Sequence, residues 1–413
     1  MTAQITVRTA AEADWPAFVE TLAIAFGAIM PDDEQARWKR LLDFSHLLVA
    51  TDEHAGREVV VGTAGWLPFD MAVPGGELPV AAVTMVTVRP THRRQGILRR
   101  LMSRQFDDFR AEGRAVATLW ASEAPIYPRF GYGLAFLKGT TEIESRRAQF
   151  LGDPAPAGQT RLIDEAEALD KLPDLYDRAC HAIPGSFRRT RTWWEERALL
   201  GRGHGPSSGW LRWLLLEIDG RPEGYALYRI TPDWGTHSLP NHRLDVIEAL
   251  GTSPVATREV WRYLFSVDLV GVVRTHRLNA DHPLSLMLAD PRRLRLNVSD
   301  GTWIRLVDVP AALAARTYPS DGAVTFELTD EQCPWNAGVW TLVAGTGGAE
   351  LKRSTAAPEL RLSARELAAM YLGTVRCTSL LRAGRVEEVS PGAASRADAL
   401  FRSDVPAWCL DDF

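Results

Sequence analysis

Residues 86–98 read Val-Thr-Val-Arg-Pro-Thr-His-Arg-Arg-Gln-Gly-Ile-Leu. A β-branched-rich run, Leu78–Val88, leads into this stretch and reads as a strand buried on both faces. Behind it, Leu98, Met102, Phe106 and Phe109 fall on one face of a helix that Gly113 ends. Val116–Ala121 is the next strand. Strand, crossover helix and strand make a parallel pair, so the fold class is α/β. Upstream, Trp15, Phe18, Leu22 and Phe26 form a helical stripe for which Asp14 is the expected cap. His46–Ala50 and Val59–Trp66 read as strands joined by a polar turn at 52–56.

The turn between strand and helix is where chemistry is expected. Backbone N–H groups at a helix start, with the positive end of its dipole, form a pocket for phosphate. Gly96 lets the backbone approach an anion closely, and Arg93 and Arg94 add charge-assisted donors. Two arginines alone would equally serve a solvated helix start. The apolar strand before them and the amphipathic helix after them supply the context a phosphate turn needs. Should Val86–Val88 splay from its neighbour, its free N–H and C=O groups can pair with an extended amide-bearing ligand. Pantetheine is such a ligand, and its pyrophosphate then falls on the arginine turn.

The 413 residues suggest two or three domains at about 150 residues each. A hydrophobic share of 46% and a charged share of 24% exclude wholesale disorder. Lys and Arg number 47 against 52 Asp and Glu, a net charge of −5, which lacks the basic excess of a nucleic-acid binder. The longest apolar run, Pro79–Val88, falls short of the roughly 18 residues that cross a bilayer, so no membrane partner is expected. The first residues lack the shape of a signal peptide. Cys180, Cys333, Cys377 and Cys409 form no CxxC pair and read as buried or bystander thiols in a reducing, cytoplasmic setting. The histidines show no metal-ligand spacing.

After a linker-like stretch at Gly152–Gly158, part of the first pattern returns. Trp210–Ile218 and Tyr225–Ile230 read as a hairpin around Asp219-Gly220, followed by a strand at Leu244–Leu250 and a helix at Ala256–Phe265. The corresponding turn, Gly251–Val255, has no Arg-Arg-x-Gly, so no coenzyme is expected there. A third region begins near Thr302 with a helix start at Val309. It continues with strands at Ala323–Leu328 and Val339–Val343 and a helix at Ala364–Leu372. Its Gly345–Gly348 segment reads as a hairpin loop, since no Lys-Ser/Thr follows.

Val-x-Val-x-Pro-x-x-Arg-Arg-x-Gly-Ile resembles the acetyl-coenzyme-A signature of GNAT (Gcn5-related) N-acetyltransferases. A second segment, Ala121-Ser-Glu-Ala-Pro-Ile-Tyr-Pro-Arg-Phe-Gly-Tyr-Gly133, is similar to one in the enhanced intracellular survival (Eis) acetyltransferases, as are the length and the ending at Phe413. The resemblance implies tandem GNAT-like domains followed by a sterol-carrier-like domain, here 1–145, 146–298 and 299–413. It further implies a homohexamer acting on small-molecule polyamines such as aminoglycosides at several amines. The cofactor, acetyl-CoA, carries onto Val86, Thr87, Val88, Arg93, Arg94, Gln95, Gly96, Ile97, Leu98, Arg99, Ser122 and Glu123. Tyr127 matches the family's general acid, and the carboxylate of Phe413 its general base.

Acetyl transfer needs a neutral amine, a stabilised oxyanion and a proton for the departing thiolate. An amine of pKa about 10.4 is neutral at pH 7 in roughly one molecule per 2,500, a cost of about 4.6 kcal/mol. Amino-sugar amines flanked by oxygens are less basic and start with a smaller cost. For the base to reach a site near residue 88, the third region must pack against the first. Val405, Trp408, Leu410 and Phe413 make the tail apolar enough to dock, while Asp411 and Asp412 either draw a polycation or simply solubilise the end. Asp32, Asp33 and Trp38 are candidates for the rim of the amine pocket, although Asp32–Glu34 equally suits a solvated helix start. Met85 and Trp120 replace residues typical of the family at positions facing the acceptor, and Asp412 completes the substrate set. Two rival readings stay open: a protein-lysine acetyltransferase, and a lipid-binding or scaffold protein with relic GNAT units.

Overall fold

The computed structural model describes residues 5–54, 57–200 and 209–413. Of the turn expected at 52–56, Asp52–His54 instead continue the preceding strand, paired with Arg57–Val59, and Ala55 and Gly56 lie outside the described residues, as do Met1–Gln4. The chain divides into two compact units. One comprises 1–136, 302–404 and Phe413; the other comprises 137–301 and 405–412.

The first unit opens with β1 (Thr6–Thr9), α1 (Trp15–Phe26), α2 (Asp32–Leu41), β2 (Leu48–His54), β3 (Arg57–Val73) and β4 (Gly76–Val88). α3 (Ile97–Ala111), β5 (Val116–Trp120) and β6 (Gly133–Leu134) follow. Of the expected stripe, Leu98 is half-buried, while Met102, Phe106 and Phe109 are sealed from solvent and Ile97 and Leu101 complete the buried face of α3 with them. Burial of each stabilises the unit by about 1.5–3 kcal/mol. Asp14 does not cap α1. Its carboxylate instead accepts from Ala11 N at 2.8 Å and pairs with Arg8 at 2.6 Å.

The sheet order is β1-β2-β3-β4-β5, then Thr302–Leu306, then β6. The β4–β5 pair is parallel, as the strand–helix–strand pattern requires, and β1 to β4 run antiparallel. Two strands cross the boundaries read from the sequence. Thr302–Leu306 inserts between β5 and β6 in the first sheet, and Leu137–Glu144 lies in the second. Residues 322–388 of the third region hold a five-stranded sheet in the same unit as the N-terminal sheet, while 405–412 belong to the other unit. Within it, Gly345 pairs with Gly348 across the expected hairpin loop. The third region packs closely on the first: Gly133 leaves no room for a Cβ against the backbone of Ala369, and Thr317 N bonds to Pro74 O.

The second unit holds a seven-stranded sheet. Its hairpin, Trp210–Ile218 with Arg221–Thr231, turns on the left-handed Asp219-Gly220 pair. A parallel pair, His242–Gly251 with Val270–Asn279, flanks the helix Pro254–Ser266. All four cysteines are buried and free. Among the described residues, no helix is long and apolar enough to cross a membrane.

Candidate active site

β4 and β5 stay paired only through Val80–Val116, Ala81–Ala117 and Ala82–Thr118. Beyond that point β4 runs on through Val83–Val88, held by β3 on one side and, among the described residues, by no strand on the other. The cause is a bulge. Thr63 faces Thr87 while Gly65 faces Thr84, so Ala64 opposes an extra β4 residue, and Met85 adopts a left-handed φ of 55°. A bulge bends its strand and raises the local twist, which re-aims β4 away from β5. Thr63 pins it: its hydroxyl donates to Met85 O at 2.7 Å and meets the Thr87 hydroxyl at 2.6 Å, both side chains being buried. Sequence reading missed Thr63. The available signal was a pair of threonines facing each other across two otherwise apolar strands.

The strand ends in the expected turn. Arg89 N still bonds to Val61 O, and residues Pro90–His92 then make one 3-10 turn. Arg94 and Gly96 both take left-handed backbone, at φ 63° and 76°, and α3 starts at Ile97. A Cβ at Gly96 meets nothing within 4 Å, so the backbone angle, not space, asks for glycine there. Among the described residues no side chain caps α3, and an uncapped helix start offers its first N–H groups to an outside acceptor. Arg93, Arg94, Gln95 and Arg99 surround this tip and are exposed, and among the described residues the three arginines enter no ion pair. Ile97 anchors the tip beneath β3, where a Cβ at Gly62 would lie 3.0 Å from its Cγ2. Leu98, next along, is half-buried. An exposed helix start with three arginines that enter no ion pair among the described residues is suited to hold an anion.

Ser122 and Glu123 are exposed just after β5. Tyr127 opens the short 3-10 helix Tyr127–Phe130 and is only 6% exposed, with its ring edge-on to Tyr132 at 5.8 Å. Its hydroxyl makes no hydrogen bond among the described residues, yet is not sealed from water. Burial, reinforced by the Glu123 charge, pushes this phenol up to about 12, so it carries its proton throughout the physiological range. Beneath it, Gly131 sits against the buried Arg305, which grips both Asp330 oxygens at 2.7 Å. Phe413 belongs to this unit, its ring 6.4 Å from Phe69 of β3.

The other candidates are dispersed. Asp32 and Asp33 are exposed in the first turn of α2, where carboxylates complement the helix dipole, and Trp38 of the same helix is buried. Met85 sits at the bulge, and Trp120 ends β5 with its ring edge-on to Phe136. Asp411 and Asp412 do not form an open acidic patch. In the second unit Asp411 is buried and bonded to Arg189 at 2.8 Å and to Trp193 at 2.6 Å. Asp412 pairs with Arg277 at 2.7 Å, which neutralises it as a collector of cations. Sequence reading missed these arginines, since nothing local ties residue 189 or 277 to the tail.

Comparison with known proteins identifies the domains along the chain. Acetyltransferase (GNAT) domain models match residues 6–135 and 185–306, and a sterol carrier protein domain model matches 309–410. An uncharacterised N-acetyltransferase of Streptomyces coelicolor is 38% identical, the match covering 97% of each chain. The N-acetyltransferase Eis of Mycobacterium bovis is 31% identical over 99% of this chain and 100% of its own. The crystal structure of Eis1 from Mycobacterium abscessus superposes with a TM-score of 0.84 at 33% identity, covering 99% of this chain and 100% of that one. With the tandem GNAT architecture, the sterol-carrier-like domain and end-to-end similarity all in agreement, the chain belongs to the Eis family of GNAT N-acetyltransferases.

Proposed function

We propose that this acetyltransferase uses acetyl-coenzyme A to acetylate amines of polyamine-like small molecules, foremost aminoglycosides, at more than one position. The observation that carries the reading is the opening of β4 from β5 beyond Ala82–Thr118, running into the uncapped α3 tip. The residues there fit the coenzyme. Val86–Val88 offer a strand edge for its amide arm, and Arg93, Arg94, Gln95, Arg99 and the N–H groups of Ile97 and Leu98 offer donors for its pyrophosphate. Ser122 and Glu123 line the far strand's end. Bound there, acetyl-coenzyme A supplies the acyl group as a thioester.

The chain's own groups then move protons and hold charge. A β4 N–H beside the bulge donates to the carbonyl oxygen on which negative charge builds. The Phe413 carboxylate takes the proton that the attacking amine loses, and the Tyr127 hydroxyl gives one to the leaving sulfur. A phenol held near 12 suits that role, being protonated at working pH. In this division of labour residues 1–145 bind coenzyme, 146–298 bind none, and 299–413 deliver the terminal carboxylate. We further place the enzyme in the cytoplasm as a homohexamer, which light scattering on the purified chain tests.

The deciding experiment is thiol release from acetyl-coenzyme A with a panel of neomycin, spermine and a lysine peptide. Turnover on neomycin well above the peptide is expected. A peptide acetylated as fast as neomycin would favour the protein-lysine reading. No thiol release with any amine, together with no thermal stabilisation by acetyl-coenzyme A, would leave the lipid-binding reading.

A further inference from the structure

The second unit repeats the opening that defines the first. Its parallel pair, His242–Gly251 with Val270–Asn279, ends at Val246–Thr275. A register slip marks the same place: Leu227 faces Glu248 and Tyr228 faces Val246, so Ile247 is the bulged residue. Past it, Ile247–Gly251 has no strand partner on the Val270–Asn279 side among the described residues. The helix tip that follows is capped, unlike that of α3. Ser253 caps it by accepting from Ala256 N at 3.1 Å, and Pro254 removes another donor.

The chain's own tail packs beside this opening. Trp408 and Leu410 line a cavity of about 220 Å³ together with Ile247, Leu250 and Leu278 of the diverging strands. Asn279 Nδ2 donates to Ala407 O, and Arg277 Nη1 to Leu410 O, each at 3.4 Å. Trp408 N donates to Pro184 O at 2.8 Å. Ala407 through Asp411 are all buried, which is unusual for residues so near a chain end.

One residue further, the tail is locked by charge. Asp411 accepts from Arg189 Nε at 2.8 Å, Trp193 Nε1 at 2.6 Å and the Tyr176 hydroxyl at 3.3 Å. Arg189 spends its other two nitrogens on Glu248, at 2.6 and 3.1 Å, and stacks over the Tyr176 ring at 4.0 Å. Glu248 lies immediately past the bulge, so the lock is built on the strand that opens. Arg189, Asp411 and Glu248 are all buried, and breaking such a network is costly because a charge is left without its partner. A tail merely tucked away needs no ion pairs at this depth.

We propose that the second unit acts as a clamp for the chain's C-terminus, holding residues 405–412 beside its coenzyme-like opening, with the Arg189–Asp411–Glu248 lock serving as the positioning residues for Phe413. The proposal rests on the reading of the Phe413 carboxylate as base. Two residues past the Asp411 lock, freedom at residue 413 is restricted to a few backbone torsions, so the base is held in place rather than searching.

Hydrogen–deuterium exchange and steady-state kinetics on the full chain test it. In the parent protein the amides of 405–412 are expected to be strongly protected. In Asp411→Asn, exchange in that segment alone should quicken by about tenfold or more, with kcat falling about tenfold and the acetyl-coenzyme-A KM staying within about twofold. Should Asp411→Asn fail to fold, Arg277→Gln keeps the buried lock and reads out the same quantities. The clamp is overturned if the parent tail exchanges freely, or if variants release the tail without loss of kcat, or if neither variant alters tail exchange. A semisynthetic chain ending in a C-terminal amide separates the two readings. Full turnover with a protected tail removes the base and leaves the clamp to be judged on exchange alone.

Discussion

The ring of Phe413, the last residue, lies 6.4 Å from that of Phe69, and Phe69 faces Val80 across the β3–β4 ladder. Val80 opens the three-residue β4–β5 pairing whose end at Ala82 begins the opening. The terminal carboxyl is thereby placed in the same unit as the proposed acetyl site. Adding one alanine after Phe413 relocates that carboxylate by a residue's length. The expected result is a fall in kcat of about 10²-fold, the usual worth of a positioned base, with acetyl-coenzyme-A affinity by calorimetry unchanged. An extended chain with parental kcat would remove the terminal carboxylate from the mechanism.

Tyr127→Phe keeps the buried ring and deletes only the hydroxyl. We expect kcat to fall about 10²-fold while the amine KM moves by less than about threefold. The pH dependence follows from the sign of the shift. The donor works protonated, and its pKa is raised to about 12, so activity is lost only on approaching that value from below. The kcat profile should rise with pH as the substrate amine loses its proton, with no descending limb below about pH 10. A descending limb near pH 8 present in the parent and absent in Tyr127→Phe would refute this.

At the α3 tip, Arg94→Ala removes an exposed cation that has no ion-pair partner among the described residues. A charge-assisted hydrogen bond to phosphate is worth about 1.5–3 kcal/mol, so the Kd for acetyl-coenzyme A should rise roughly tenfold or more. Folding stability should barely change, because surface substitutions free of special contacts stay within about 0.5 kcal/mol. Equal calorimetric affinity in parent and variant would take Arg94 out of the phosphate site.

Beneath Tyr127 the Arg305–Asp330 pair is fully buried, and Asp330 also accepts from the backbone N–H groups of Gln332 and Cys333 and from Asn336 Nδ2. Asp330→Ala strands the guanidinium in an apolar setting. Urea unfolding should show a loss of about 3–5 kcal/mol. The double variant Arg305→Met with Asp330→Ala should recover part of that loss, since no lone charge then stays inside.

How much of this was legible in advance follows the range of each interaction. The helical stripe of α3, the apolar run of β4, the Asp219-Gly220 hairpin and the arginine turn were readable because each depends on residues within one or two turns of chain. Even there, tertiary partners overrode a local rule: Asp14 gave up its expected capping role for Arg8. Pairings between distant strands were not legible. Nothing near Thr302–Leu306 says that it slots between β5 and β6, and nothing near Leu137–Glu144 assigns it to the second sheet, because strand identity is a competition among all edges of the fold.

The amino-acid order by itself determined the strand–turn–helix proposed to bind the coenzyme, since glycine, arginine and apolar periodicity act through local backbone geometry and helix-end donors. Only the tertiary structure decided that Thr63 pins the bulge, that Asp411 is spent on Arg189 rather than on a substrate, and that residue 413 rests beside residue 69. Those outcomes depend on which groups desolvation forces to pair across hundreds of residues, and no window along the chain contains both partners.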